Sequence, residues 1–181
     1  MAYFADLSEY QYHPAGIRAD TRTIGWLEPK HEFEKYEPTE ELLELLWSFC
    51  KVAVVQTRGI HKCEFCSPAK TVLASRKDGI RRLLGTSEIR VFTKEGAIYS
   101  APNLVYHYVS THHYKPPDSF IKGLERGPKP PNQEYFDKLT ILKLTWNETP
   151  IQKDMNAFKF EKINGVLERV SVEIPICFDE R

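Results

Sequence analysis

No stretch of this chain approaches the roughly eighteen consecutive apolar residues that a membrane-spanning helix needs, so no transmembrane segment is expected. The N-terminus, Met1-Ala2-Tyr3-Phe4-Ala5-Asp6, lacks a basic region followed by an apolar one, as a secretory leader would have. A soluble, unsecreted, cytoplasmic protein is the expectation. Cysteine is scarce, with four in 181 residues. That is too few for a disulfide scaffold at this length. Cys50 and Cys177 lie in the apolar contexts Trp47-Ser48-Phe49-Cys50 and Ile174-Pro175-Ile176-Cys177, which suit buried thiols in a reducing compartment. Net charge is also missing, since 25 basic residues meet 25 acidic ones. A neutral chain is not a typical bulk nucleic-acid binder. No internal repeat is present.

Familiar catalytic signatures are absent as well. There is no H-E-x-x-H segment, no P-loop and no G-x-S-x-G elbow. Ser67 follows Cys66 where a c-type haem site needs histidine. A nucleobase deaminase needs H-x-E or C-x-E upstream of P-C-x-x-C, and His31-Glu32-Phe33-Glu34 has the wrong spacing.

What the chain does have is an uneven charge distribution. Residues 1–60 carry ten acids and six bases, whereas residues 61–129 carry twelve bases and six acids. Arg76, Lys77, Arg81, Arg82 and Arg90 belong to the basic stretch. They can meet phosphate or an acidic protein, or balance the acidic run Glu37–Glu44 of the same molecule. The balancing role is the simpler reading, and nucleic acid is not favoured as a partner.

Length and an ordinary apolar content suit one globular core with an appendage, read as a core of residues 1–127 and a β segment of residues 128–181 packed on it. Thr21–Leu27 reads as extended. Pro38-Thr39-Glu40-Glu41 supplies a cap and acidic first turn for a helix carrying Leu42, Leu43, Leu46, Trp47 and Cys50. Lys51–Gln56 is a β-branched run that leads toward the cysteines. Asp78–Leu84 reads as a short helix stopped by Gly85, and Glu88–Tyr99 reads as a hairpin turning at Lys94-Glu95-Gly96. A helix from Asn103 must stop before Pro116-Pro117, and another follows from Pro117 to Gly127. After the proline-rich connector 127–132, strands are expected over Leu139–Trp146, Ala157–Glu161 and Leu167–Ile176, with a type I′ turn at Asn164-Gly165. The fold class is therefore α+β.

One constellation carries chemistry. Cys63 and Cys66 stand in His61-Lys62-Cys63-Glu64-Phe65-Cys66, and His107, His112 and His113 follow in a tyrosine-rich segment. Thiols at C-x2-C spacing can hold one metal ion from a tight turn, and two imidazoles can complete a tetrahedron. On a regular helix, positions 107 and 112 differ by about 140°. Both can reach one ion only if the last turn loosens. His113 is the alternative, and His61 is close enough in sequence to serve as ligand or supporting partner. A thioredoxin-like exchange pair is the competing use of the thiols, although Glu64 opposes thiolate formation and no small pair separates the cysteines.

The pattern His61-x-Cys63-Glu64-Phe65-Cys66, then Glu88-Ile89-Arg90-Val91, then Ala101-Pro102-x-Leu104-x-Tyr106-His107-Tyr108-Val109-x-x-His112-x-Tyr114-x-Pro116-Pro117-x-x-Phe120 resembles an uncharacterised bacterial family, a domain of unknown function. Tyr3-Phe4-x-Asp6-Leu7-Ser8-x-Tyr10 and Gly25-Trp26-Leu27 are similar to it too. The likeness covers residues 3–126 and implies no activity. It implies Cys63, Cys66, His107 and His112 as the metal set. Four protein ligands leave no open position, so the expected role of zinc is structural and no catalytic residue is assigned. The expected function is binding, to another protein, as in a bacterial immunity or accessory factor. The alternative is a metal-dependent hydrolase or nuclease in which three of these residues hold the ion and Glu64 or His61 serves as base.

Overall fold

The computed structural model describes residues 2–14, 20–151, 157–163, 166–172 and 176–180. In chain order the elements are β1 (Thr21–Thr23), α1 (Glu40–Cys50), β2 (Val52–Val54), β3 (Thr71–Ser75), β4 (Arg82–Leu83), β5 (Glu88–Phe92), β6 (Ile98–Pro102), α2 (Val105–His112), α3 (Asp118–Arg126), α4 (Gln133–Ile141), β7 (Trp146–Glu148), β8 (Ala157–Ile163), β9 (Val166–Val172) and β10 (Ile176–Glu180). This is an α+β fold. One sheet has the order β1-β6-β5-β2-β7 and a second β10-β3-β4, while β8 and β9 pair with each other. Within the larger sheet β1 runs parallel to β6 and the remaining neighbours are antiparallel. In the smaller sheet β10 runs parallel to β3.

Local chemistry explains most of these elements. Thr39 caps α1 by accepting a hydrogen bond from Leu42 N–H at 3.3 Å, and Glu40 and Glu41 face the positive end of the helix dipole. The helix buries Leu43, Leu46, Trp47, Phe49 and Cys50. β5 and β6 form the expected hairpin, with Glu88 opposite Pro102 and Phe92 opposite Ile98. Every residue of β5 is buried, including Glu88 and Arg90. Those two charges answer each other across one face of the sheet. Arg90 donates to Glu88, Tyr10 O–H donates to Glu88 Oε1 at 2.6 Å, and Ser100 donates to Glu88 Oε2 at 2.8 Å. The Arg90 guanidinium also lies 4.8 Å from the centre of the Tyr10 ring.

Three expected elements are corrected. Leu139–Trp146 is not one strand: α4 runs to Ile141 and β7 begins at Trp146. Tyr135 and Leu139, four residues apart, are buried on one face of that helix, with the Tyr135 ring against Phe49 and Phe92 and its hydroxyl donating to the Arg90 carbonyl at 3.1 Å. Tertiary packing overrides the β-branched composition. Lys143, at φ 55°, then redirects the chain toward β7. Asp78–Leu84 is not a helix either. Gly79, at φ 65°, makes a turn after β3, and β4 pairs back with Leu73 opposite Leu83. The run Leu167–Ile176 serves two sheets, β9 pairing with β8 and β10 with β3, while residues 173–175 lie outside the described ones. The expected turn at Asn164-Gly165 lies outside the described residues. Among the described residues no helix is long and apolar enough to cross a membrane.

Candidate metal centre

The cysteine loop is fastened at Cys63 to the residue just ahead of the following strand, not to the strand before. Cys63 N–H donates to the Lys70 carbonyl at 2.8 Å and Lys70 N–H returns to Cys63 at 3.1 Å, closing a loop directly ahead of β3. Phe65, between the thiols, sets its ring edge-on to Phe33 and Tyr108 at 5.4 and 5.6 Å, so the loop is also held from below by aromatics. Upstream, His61 N–H donates to the Gly85 carbonyl at 2.8 Å. Gly85 has φ 85°, and a Cβ there would fall 2.2 Å from the His61 carbonyl oxygen. Only glycine permits that approach.

The histidines come from α2, and the helix end resolves their spacing. His113 adopts the left-handed conformation at φ 59°, and its N–H reaches the Tyr108 carbonyl, five residues back instead of four. Tyr114 N–H donates to the same carbonyl at 2.9 Å. The closing turn is therefore wider than an α turn, the loosening that positions 107 and 112 require. The His107 and His112 rings lie 4.9 Å apart, nearly perpendicular.

Cys63, Cys66, His107 and His112 converge, with their donor atoms all within 4.8 Å of one another. Cys63 Sγ is 3.2 Å from His112 Nε2, and Cys66 Sγ is 3.4 Å from His107 Nε2 and 3.6 Å from His112 Nε2. A tetrahedron with Zn–S of about 2.3 Å and Zn–N of about 2.0 Å places sulfur and nitrogen roughly 3.6 Å apart. The side chains thus already stand near the spacing that a shared ion requires. Cys63 and His107 are fully buried, while Cys66 and His112 are half-buried on the outer side. Burial pushes the Cys63 thiol up, opposed by the backbone N–H groups of Cys66 and Phe65 directed at its sulfur. A metal would reverse that protonation, since thiolate is the ligand form.

The other sequence candidates go elsewhere. His61 Nε2 is 2.9 Å from the Tyr12 hydroxyl, and burial pushes its imidazole pKa down. His113 Nδ1 lies 3.2 Å from Glu37 Oε1. Glu64 is exposed. Three of the five basic residues singled out from the sequence are also withdrawn from any ligand: Arg76 is 5 %, Arg82 4 % and Arg90 0 % exposed. Arg76 donates to Glu40 at 2.7 Å and Glu44 at 3.1 Å, and Arg82 donates to Glu148 at 3.0 Å. The carboxylates of the acidic segment thus neutralise part of the basic one. The Tyr12–His61 contact and the Lys70 anchor had no sequence signal, because each depends on long-range closure.

A family model described as "Domain of unknown function (DUF7919)" matches residues 2–125. The chain belongs to the DUF7919 family. No curated protein and no solved structure matches it. All four residues of the Cys/His cluster lie inside the family match, while α4 and the last four strands lie beyond it.

Proposed function

We propose that this DUF7919 member is a zinc-stabilised binding module whose partner is another protein, of the bacterial accessory or immunity kind, working in the reducing cytoplasm. The observation that carries the reading is the closed donor set: two sulfurs and two ring nitrogens, all within 4.8 Å. Two thiolates and two imidazoles suit zinc and not magnesium or calcium, which take oxygen ligands. Four protein ligands fill the tetrahedron, whereas catalytic zinc keeps a position for water. The hydrolase or nuclease reading is correspondingly weaker, and its would-be base His61 is engaged by Tyr12. For the partner, support comes from the apolar surface on and beside α4 and β7. Ile141 is 77 % and Trp146 41 % exposed, and the Phe136 ring lies 4.5 Å from that of Trp146. A partly exposed aromatic pair of this kind, with Ile141 further along the same helix as Phe136, is the sort of apolar surface that marks interaction sites.

Elemental analysis of purified wild type beside Cys63→Ser tests the metal: one equivalent of zinc in the wild type and none in the variant is expected. A folded wild type that binds no zinc overturns it. Affinity capture from the native host with wild type and Trp146→Glu tests the partner. A protein retained by the first and lost by the second is the expected result, and equal retention by both overturns this surface as the docking face.

A further inference from the structure

Away from the Cys/His cluster, α3 and the turn between β5 and β6 enclose a hollow of about 250 Å³. Lys94 comes from the turn, and Lys122 and Arg126 come from the helix. Thr93 and Ser119 line the same hollow, the Thr93 hydroxyl also accepting from Ala97 N–H at 3.1 Å. Ser119, Lys122 and Arg126 follow i, i+3, i+7 spacing, so one face of α3 presents all three. The helix sits tightly against the hairpin because position 123 is glycine: a Cβ there would lie 3.0 Å from Val91 Cγ1 and 3.3 Å from Thr93 Cγ2. That close seating places cations from two separate elements around one concavity.

Such an arrangement is costly without an anion. Lys122 and Arg126 are a like-charged i, i+4 pair, worth a few tenths of a kcal/mol in the wrong direction on a helix surface, and Lys94 adds a third positive charge. Among the described residues none of the three has an ion-pair partner, although Glu95, a carboxylate, lines the same hollow. The contrast with Arg76, Arg82 and Arg90 is direct, since each of those meets a carboxylate of the same chain. Three cations and two hydroxyls are the donor set that a tetrahedral oxyanion uses, with arginine able to bind two of its oxygens at once. The hollow itself is smaller than a usual cofactor site, which suits one small group.

We propose that this hollow binds a phosphate-type oxyanion, either free or carried on a side chain. The test is an amide chemical-shift titration of the full chain with inorganic phosphate and, separately, with a short phosphoserine peptide. Sodium chloride at matched ionic strength is the control. Saturable shifts confined to residues 93–97 and 119–126 in the millimolar range are expected. The exposed double variant Lys122→Gln with Arg126→Gln, checked for an unchanged melting curve, is expected to weaken that binding at least tenfold. Saturation by both probes supports a free-anion site, and saturation by the peptide alone supports a carried phosphoryl group. Chloride reproducing the shifts, equal affinity in the double variant, or no saturation by either probe overturns the proposal.

Discussion

Two clusters of polar side chains lie in the interior of this protein, and they are completed in opposite ways. In the first, Glu88 accepts from Arg90, Tyr10 and Ser100 across neighbouring strands and the N-terminal segment, joining residues 78 positions apart. In the second, Cys63, Cys66, His107 and His112 join a loop to a helix end over 41 to 49 positions, yet no opposite charge stands among them. The ion-pair cluster contains its own counter-charge. The Cys/His cluster is a set of donors around a shared point that could hold a metal ion, and under the proposed function its full contribution comes with that ion. The difference teaches where each cluster would be vulnerable: the first to loss of a partner residue, the second, if it holds the proposed zinc, to loss of the ion.

The largest expected effect follows from that dependence. Structural zinc sites contribute on the order of 10 kcal/mol or more to small domains, so removing the ion from this larger one is expected to cost at least about 5 kcal/mol. Chemical denaturation with and without a strong chelator measures it. Cys63→Ser should match the chelated wild type and show no further response to chelator. A wild type whose unfolding midpoint ignores the chelator would erase the distinction between the clusters.

Next in size is the ion pair. Arg90→Met leaves the Glu88 carboxylate buried without its cation and is expected to destabilise by about 3–5 kcal/mol. Glu88→Leu has a cost of the same kind, but the double variant is expected to cost clearly less than the two added together, because neither charge is then stranded. Arg90 Nε and Nη2 have no hydrogen-bond partner among the described residues, so the pair is incompletely satisfied from the start. The two clusters share no residue. The Arg90→Met cost should therefore be the same with and without chelator, to within about 0.5 kcal/mol. A larger difference would show that the clusters form one cooperative unit.

Both clusters were only partly legible in the sequence, for physical reasons. The thiol pair announces itself because its spacing suits one ion, and Thr39 and the helix behind it follow from local capping and periodicity. Glu88 and Arg90 read as alternate positions of a hairpin strand, which marks them as sharing a face. Nothing local says that this face is buried, since burial comes from Tyr10 and Tyr135 arriving from distant segments. The same limit explains α4. Its β-branched and apolar residues suit a strand, and only the burial of Tyr135 and Leu139 on one face, with the Tyr135 ring against Phe49 and Phe92, decides for a helix. The convergence of His107 with His112 required a widened turn that the prolines at 116 and 117 hint at but do not specify.

The smallest expected effect concerns a polar group intermediate between the two clusters. Asp6 accepts hydrogen bonds from Gly25 N–H at 2.8 Å and from the Tyr114 hydroxyl at 2.7 Å, two neutral donors in place of a cation or a metal. Burial raises its pKa above the usual carboxylate value, and the two hydrogen bonds offset this only in part. A folded pKa above the unfolded one means that the native state holds its proton more tightly. The resulting stability is fully present below about pH 4, the unfolded carboxylate range, and is lost as pH rises through the raised folded value. Asp6→Asn keeps a hydrogen-bonding side chain but cannot ionise. Denaturation midpoints of wild type and variant across that range are expected to show a decline with pH that the variant lacks. If both decline equally, other carboxylates dominate and Asp6 is held as well by neutral donors as Glu88 is by Arg90. That result would narrow the distinction between a buried charge that needs its partner residue and one that does not.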